Sequence, residues 1–257
     1  MKLSVVKIGG NVIDNPIALK DFIQKFANIP SPKILIHGGG KIATEITTKL
    51  GFPTQMIDGR RITDKHTLEV VCMVYGGLIN KSIVAQLQAA GCNAIGLSGA
   101  DANIIPAQRR SATPIDYGYV GDINASEVNT EIISTLLNAG LTPVFCALTH
   151  DQQGSMLNSN ADSIASAIAV SMAAKTEVNL IFCFELAGVM EDITRPDSVI
   201  PLLDEQSYQH LRSTGIVAKG MIPKIENAFA ALKKGVKRVI ITHADKVDQP
   251  SGTTIQL

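Results

Sequence analysis

KILIHGGGKIATEITTKLG, residues 33–51, decides the architecture. An apolar run, KILIH, enters three glycines without a polar linker. Beyond them Ile42, Ala43, Ile46 and Leu50 recur at helical spacing, and Gly51 closes the segment. A strand that turns through glycines into a helix is the first half of a βαβ crossover. The chain opens in the same way. LSVVKI (3–8) reads as a strand, Gly9-Gly10 as its turn, and PIALKDFIQKFA (16–27) as a helix with Asp14 or Asn15 as cap and Pro16 in the first turn.

Working outward, residues 63–91 hold one long helix or two consecutive ones, and NAIGLSG (93–99) is a strand. Residues 101–124, with Pro106, Pro114, RRSATP and DYGYVGD, predict a hairpin excursion with loops. A helix (126–139), the strand TPVFCAL (142–148), a helix (161–175), the strand VNLIFCF (178–184), a helix (222–235) and the strand RVIIT (238–242) follow. The segment ADSIASAIAVSMAAK is apolar or small nearly all round and belongs in the interior. Strands separated by single helices predict an α/β fold: a three-layer αβα sandwich around a mostly parallel, open sheet. Ligands of such sheets sit beyond the carboxyl ends of the strands, where both glycine clusters lie.

Composition narrows the function classes. Lys and Arg number 23 and so do Asp and Glu, which gives no net field to draw nucleic acid or an anionic membrane. The cysteines 72, 92, 146 and 183 form no C-x-x-C pair and sit in apolar or helical contexts, as free buried thiols of a reducing cytoplasm do. The histidines 37, 66, 150, 210 and 243 have no partner at metal-ligand spacing, so no protein-held metal is expected. No apolar run reaches the ~18 residues of a membrane span, and no signal peptide is visible.

HGGGKIA (37–43) lets backbone N–H groups approach an anion at a helix start, or serves as a plain turn. Gly38, Gly40 and Ala43 also fit a dinucleotide-binding G-x-G-x-x-A, with Asp58 about 20 residues on. Against that stand its place as the second βα unit and the lysine-bearing Gly-Gly turn ahead of it. A P-loop is absent: YGGLINKS (75–82) has Lys81-Ser82, but Asn80 stands where glycine is required. DGRRIT (58–63) offers Arg60 and Arg61 to a carboxylate, or forms a solvated loop. In NSNAD (158–162), Asn160 suits a helix cap and Asp162 its first turn, while Asn158 has no such structural duty. Lys224 falls in the first turn of a helix, the wrong end for a cation, and calls for a compensating anion unless it is simply exposed. No nucleophile–base constellation is recognisable, which favours a mechanism without a general base.

VKIGGN, HGGG, GRRIT, TLEVV, GLSGADAN, YVGDI, NSNAD and GMIPKIENA occur in this order over almost the whole chain. In this the sequence resembles the amino acid kinase family, most closely its acetylglutamate kinase branch of arginine biosynthesis. The resemblance implies one kinase domain over 1–257. Its N-terminal lobe, about 1–176, would carry the acylglutamate site and dimer contacts, and its C-terminal lobe, about 177–257, the ATP site. It implies transfer of the ATP γ-phosphoryl group to the side-chain carboxylate of N-acetyl-L-glutamate, with Mg²⁺ carried mainly by the phosphates. N-succinylglutamate as acceptor, or a non-catalytic binding module of the same fold, are the alternatives. Implied roles follow by position. Lys7 and Lys224 would contact the phosphoryl group from either side, with Asp162 holding both. Gly9 and Gly10 would donate N–H groups to phosphates. Gly39 and Gly40 would line the acylglutamate site, with Arg61, Asn158 and Asn160 binding substrate. Glu185, Leu186, Gly188, Met190, Ile216, Val217 and Ala218 would border the nucleotide. Partners would be small molecules and a second copy of the chain, with no nucleic acid and no membrane, in the cytoplasm.

Some positions depart from the family pattern. Phe184 and Glu185 replace a small hydroxyl residue and aspartate, and Lys41 stands where proline is frequent. Ala100 and Ala102 replace residues more often lysine and glycine, which points to a differently shaped acyl pocket. Arginine-inhibited relatives carry an extra N-terminal helix that links dimers into hexamers. The resemblance therefore implies a plain homodimer without that feedback.

Overall fold

A computed structural model describes residues 2–57, 60–192, 194, 195, 197–217 and 221–257. Eight strands make one sheet: β1 (Lys2–Ile8), β2 (Lys33–His37), β3 (Ala94–Leu97), β4 (Thr142–Cys146), β5 (Glu177–Phe184), β6 (Leu202–Leu203), β7 (Arg238–His243) and β8 (Thr253–Ile255). Their order is β6-β8-β7-β5-β1-β2-β4-β3. From β3 to β7 every neighbouring pair is parallel. At the far edge β8 runs antiparallel to β7, and β6 pairs with it.

All five residues of β2 are buried, so both of its faces are covered. That is why KILIH reads as a continuous apolar run instead of an alternation. Besides the single turn Gly10–Ile13, the α-helices among the described residues are α1 (Pro16–Asn28), α2 (Gly40–Lys49), α3 (Lys65–Ala89), α4 (Thr130–Asn138), α5 (Ala161–Ala173), α6 (Glu205–Ser213) and α7 (Ile222–Lys233). Helix α1 buries Leu19, Phe22, Ile23 and Phe26, one stripe at helical spacing, and its cap is Asn15, which accepts from the N–H groups of Ile17 and Ala18. Helix α5 packs on β1, β2 and β5. Its small residues Ala165 and Ala169 are fully buried beside Ile164 and Ile168, as the all-round apolar pattern predicts.

The segment 63–91 resolves into one continuous helix, α3, whose middle, Cys72–Ile79, winds as a π-helix across Gly76 and Gly77. A π-turn widens the helix by one residue per turn and re-aims the side chains after it. By length and composition α3 is apolar enough to cross a membrane. Here Val70, Val71, Val74, Ile79, Ile83 and Leu87 are instead buried in the core.

The other differences have local causes. The excursion at 101–124 closes as a minimal hairpin, Gln108–Arg109 against Gly121–Asp122. The helix expected at 126–139 begins at Thr130, because Asn129 caps it by accepting from the Ile132 N–H. The strand expected to reach 148 ends at Cys146, and Leu148–His150 pairs with Met156–Asn158 in a separate ladder. β6, β8 and α6 escape a reading by periodicity. Two- and three-residue strands have no period to detect.

Candidate active site

The parallel strands deliver their carboxyl ends to one edge, where Lys7, the Gly38–Gly40 turn and Phe184 emerge. A cavity of about 400 Å³ opens there, lined among others by Lys7, Gly10, Gly38–Gly40, Arg61, Tyr75, Arg110, Asp122, Asn158 and Asn160. The carboxylate of Asp162 lies 2.7 Å from the Lys7 ammonium, and both side chains are largely buried. Asp162 sits in the first turn of α5, where the helix dipole favours an anion.

Lys224 occupies the first turn of α7, as the sequence predicts, and its compensation takes an unexpected form. Its ammonium stands 3.6 Å from the centroid of the Phe184 ring, and that of Lys7 lies 5.1 Å from the same centroid. Burial pulls the Lys224 ammonium below its usual range. The charges of Asp162 and Glu185 oppose that shift, and Lys7 adds to it. Asp162 therefore contacts Lys7 directly and acts on Lys224 through its field, while the nonpolar-looking Phe184 is the surface that gathers both cations.

The glycine turn is built to be approached closely. Gly39 has φ +147°, and a Cβ there would stand 2.2 Å from Ile79 Cδ1. His37 anchors the turn from below. Asn80 Nδ2 donates to His37 Nε2 (3.1 Å) and to the Val144 carbonyl (2.9 Å). The accepting Nε2 fixes the tautomer, so Nδ1–H donates to the Gly38 carbonyl at 2.8 Å. Complete burial depresses the His37 pKa to about 4 and keeps the ring neutral.

Arg61 braces the turn from above. Its Nη2 donates to the Gly40 carbonyl (2.8 Å) and to Thr44 Oγ1 (2.7 Å), whereas its Nη1 is buried with no partner among the described residues. Burial raises the Tyr75 pKa, partly offset by the adjacent Arg61. Asn158 lines the cavity with its Nδ2 donating to Thr63 Oγ1 at 3.0 Å. Asn160 also lines it, and its Oδ1 is used as the α5 cap, accepting from the N–H groups of Asp162 and Ser163.

On the nucleotide side the expectations need revision. The Gly9 N–H is committed to the Cys183 carbonyl at 3.1 Å and is not free for a phosphate, so that role narrows to Gly10 at the start of the next helical turn. Gly188 is needed for packing, since a Cβ there would lie 2.7 Å from Thr253 Oγ1. Met190 and Val217 are buried, Leu186 is half-buried and Ile216 is exposed. Ala218 lies outside the described residues. Glu185 accepts from Asn11 Nδ2 at 2.8 Å, and Asn11 Oδ1 in turn accepts from Lys41. Two departures from the family pattern, Lys41 and Glu185, thus meet through one amide. Ala100 and Ala102 do not line the cavity, so the pocket difference expected from them is not made there.

Sequence reasoning did not single out Phe184 as a cation platform, nor Tyr75, Arg110 and Asp122 as cavity residues. A phenol inside the apolar run of α3 was the one available signal for Tyr75. For Arg110 and Asp122 it was opposite charges flanking a hairpin.

The model of the amino acid kinase family matches residues 2–243. An acetylglutamate kinase from Cytophaga hutchinsonii is 53% identical over 247 residues, covering 96% of this chain and 93% of that protein. One from Parabacteroides distasonis is 47% identical over 254 residues, 99% of each. A crystal structure of smu.665 from Streptococcus mutans superposes with a TM-score of 0.79 at 27% identity, covering 99% of this chain and 98% of that one. With paired lysines and a glycine turn at the carboxyl edge of a parallel sheet, and a family match running from β1 to the end of β7, the chain belongs to the amino acid kinase family.

Proposed function

We infer that the chain is an ATP-dependent kinase that phosphorylates the side-chain carboxylate of N-acetyl-L-glutamate to N-acetylglutamyl 5-phosphate, the second step of arginine biosynthesis. The observation that carries this reading is the convergence of Lys7 and Lys224 on Phe184, with Asp162 paired to Lys7 beside a cavity holding a second guanidinium-lined wall. The acceptor is already an anion, so no proton has to be removed and no general base is needed. A carboxylate oxygen attacks the γ-phosphorus, the bond to the β–γ bridging oxygen breaks, and ADP leaves with that electron pair. The obstacle is repulsion between carboxylate and triphosphate, and two ammonium groups on opposite sides of the transferring group reduce it.

In this reading Lys7 acts from the acceptor side and Lys224 from the nucleotide side. Arg61 takes the α-carboxylate, and Gly39 and Gly40 with Asn158 line the acylglutamate. Mg²⁺ enters as the ATP complex. The half up to about residue 176 is the acceptor side and the remainder the nucleotide side, although one sheet runs through both. Exposed Met73 and Leu78, both in the π-helical middle of α3, support a homodimer, and the reading as a kinase of amino-acid biosynthesis supports a cytoplasmic location.

The test is ATP turnover with Mg²⁺ at neutral pH, trapping the acyl phosphate with hydroxylamine. N-acetylglutamate should give hydroxamate and free glutamate should not. Turnover of free glutamate would move the chain to another kinase activity. ATP binding without turnover would leave a binding module.

A further inference from the structure

The phenol of Tyr75 stands in the cavity wall and has no part in the reaction as written above. It lies in the π-helical middle of α3, directly before Gly76 and Gly77. A π-turn re-aims the side chains it carries. Here the ring packs on the glycine turn: a Cβ on Gly39 would lie 3.3 Å from both Cδ1 and Cε1 of Tyr75. Tyr75 is only 5% exposed. Burial raises its pKa, so the phenol keeps its proton at neutral pH. A buried phenol O–H normally has an acceptor. Among the described residues this one donates to none. Arg61, beside it, carries donors only, so toward Arg61 the phenol oxygen can only accept. Both carboxylate oxygens of Asp14 are buried without a hydrogen-bond partner, so the O–H is not spent there either.

A Cβ built on Gly40 would lie 3.9 Å from Tyr75 Oη and 4.0 Å from Arg61 Nη2, so both groups border one space beside Gly40. On the reading above, the side-chain carboxylate of the acceptor lies at Lys7 and its α-carboxylate at Arg61, next to that space. Arg61 has few hydrogen bonds left to give it. Nη2 is committed to the Gly40 carbonyl and to Thr44 Oγ1, and Nη1 is buried. The guanidinium therefore supplies charge, and a directional hydrogen bond has to come from a neighbour. The unspent O–H of Tyr75 is that neighbour, and a carboxylate oxygen is the acceptor it lacks.

We propose that Tyr75 is a substrate-binding residue that donates its phenol O–H to the α-carboxylate of the acylglutamate. Arg61 draws that carboxylate by charge, and Tyr75 fixes its orientation. This rests on the kinase reading for the placement of the two carboxylates. Its test is a binding measurement, which stands whether or not phosphoryl transfer follows.

Tyr75→Phe removes one oxygen and keeps the ring against Gly39, and thermal unfolding of the ligand-free variant checks that the fold is intact. Isothermal titration of the full chain compares N-acetylglutamate with its α-amide, in which a neutral acceptor replaces the charged one. Tyr75→Phe should weaken N-acetylglutamate at least ~10-fold and the α-amide by a clearly smaller factor, because a hydrogen bond to a charged acceptor is the stronger. The KM for N-acetylglutamate should rise in step while kcat changes less than ~3-fold, the pattern of a contact made equally in ground and transition state. An unchanged affinity for N-acetylglutamate, or equal weakening of both ligands, overturns the proposal. Turnover on the same samples separates the two claims. Selective weakening in Tyr75→Phe, in a chain that phosphorylates no acylglutamate, supports the Tyr75 contact and sinks the kinase reading. Turnover of N-acetylglutamate with an unchanged KM in the variant does the reverse. A wild-type chain that binds no N-acetylglutamate overturns both.

Discussion

Around the Gly38–Gly40 turn, the side proposed above for the acylglutamate, side chains are held by directional hydrogen bonds: Arg61 to Gly40 and Thr44, Asn158 to Thr63, His37 between Asn80 and Gly38. On the side proposed for the nucleotide, Lys224 rests on the face of a ring and Glu185 accepts from the amide of Asn11. On the proposed function, the contrast follows the demands of the two ligands. An acylglutamate is small and must be told from free glutamate, which requires donors fixed in advance, because an unmatched buried donor penalises the wrong ligand. A triphosphate brings its own dense charge. A cation–π contact has little directionality, so a phosphate can draw Lys224 from Phe184 without breaking a fixed hydrogen bond.

The largest effect that would break this comparison is loss of a lysine. Lys224→Ala should lower kcat by ~10²–10³-fold while leaving acylglutamate affinity nearly intact, since on the proposed function its charge acts on the transferring group alone. Lys7→Ala should cost at least as much and should also weaken acylglutamate binding, because it leaves Asp162 buried beside the cavity without its cation. Steady-state kinetics paired with calorimetric binding of N-acetylglutamate separates the two. Identical profiles for both variants would mean that the two sides of the cleft are not functionally distinct.

A smaller effect tests how rigid the acceptor side is. His37 has a pKa of about 4 in the folded protein against 6.5 for an unperturbed histidine. The unfolded chain then binds a proton that the folded one refuses. The stability associated with the neutral ring is present above about pH 6.5 and is lost as pH falls toward 4, by up to about 3 kcal/mol. His37→Gln should therefore flatten the fall of Tm between pH 6.5 and 4.5, and should raise the KM for acylglutamate more than it changes kcat. Parallel Tm–pH curves for the two proteins would show that the ring is not held as described.

What the sequence revealed follows the same divide. Segments with a period are legible: β1, β2, β5 and α5 stand at nearly their expected bounds, with Lys7 and the glycine turns near the strand ends. Relations between distant residues are not. The tautomer of His37 depends on Asn80, 43 positions away. Arg110 and Asp122 meet only because a two-residue ladder folds them together. Phe184 reads as one more apolar strand residue until two ammonium groups are placed over it. The π-turn in α3 is hidden because two glycines interrupt the pattern at the very residues where the phase changes.

The smallest predicted effect concerns the bridge from Lys41 through Asn11 to Glu185, which joins the start of α2 to the end of β5 across the cleft. The Lys41 side chain is 65% exposed, so its charge is well solvated and its hold on the nucleotide side is weak. Lys41→Ala should raise the KM for ATP about 2-fold and leave the KM for acylglutamate unchanged. Asn11→Ala cuts both links at once and should exceed it. If the bridge only tethers Glu185, Lys41→Ala and Glu185→Ala should be non-additive, the double variant resembling Glu185→Ala alone. Additive effects would mean that Lys41 acts on the triphosphate directly. The glycine turn would then lend a third cation to the transfer, and the nucleotide side would be less loosely built than its hydrogen bonds suggest.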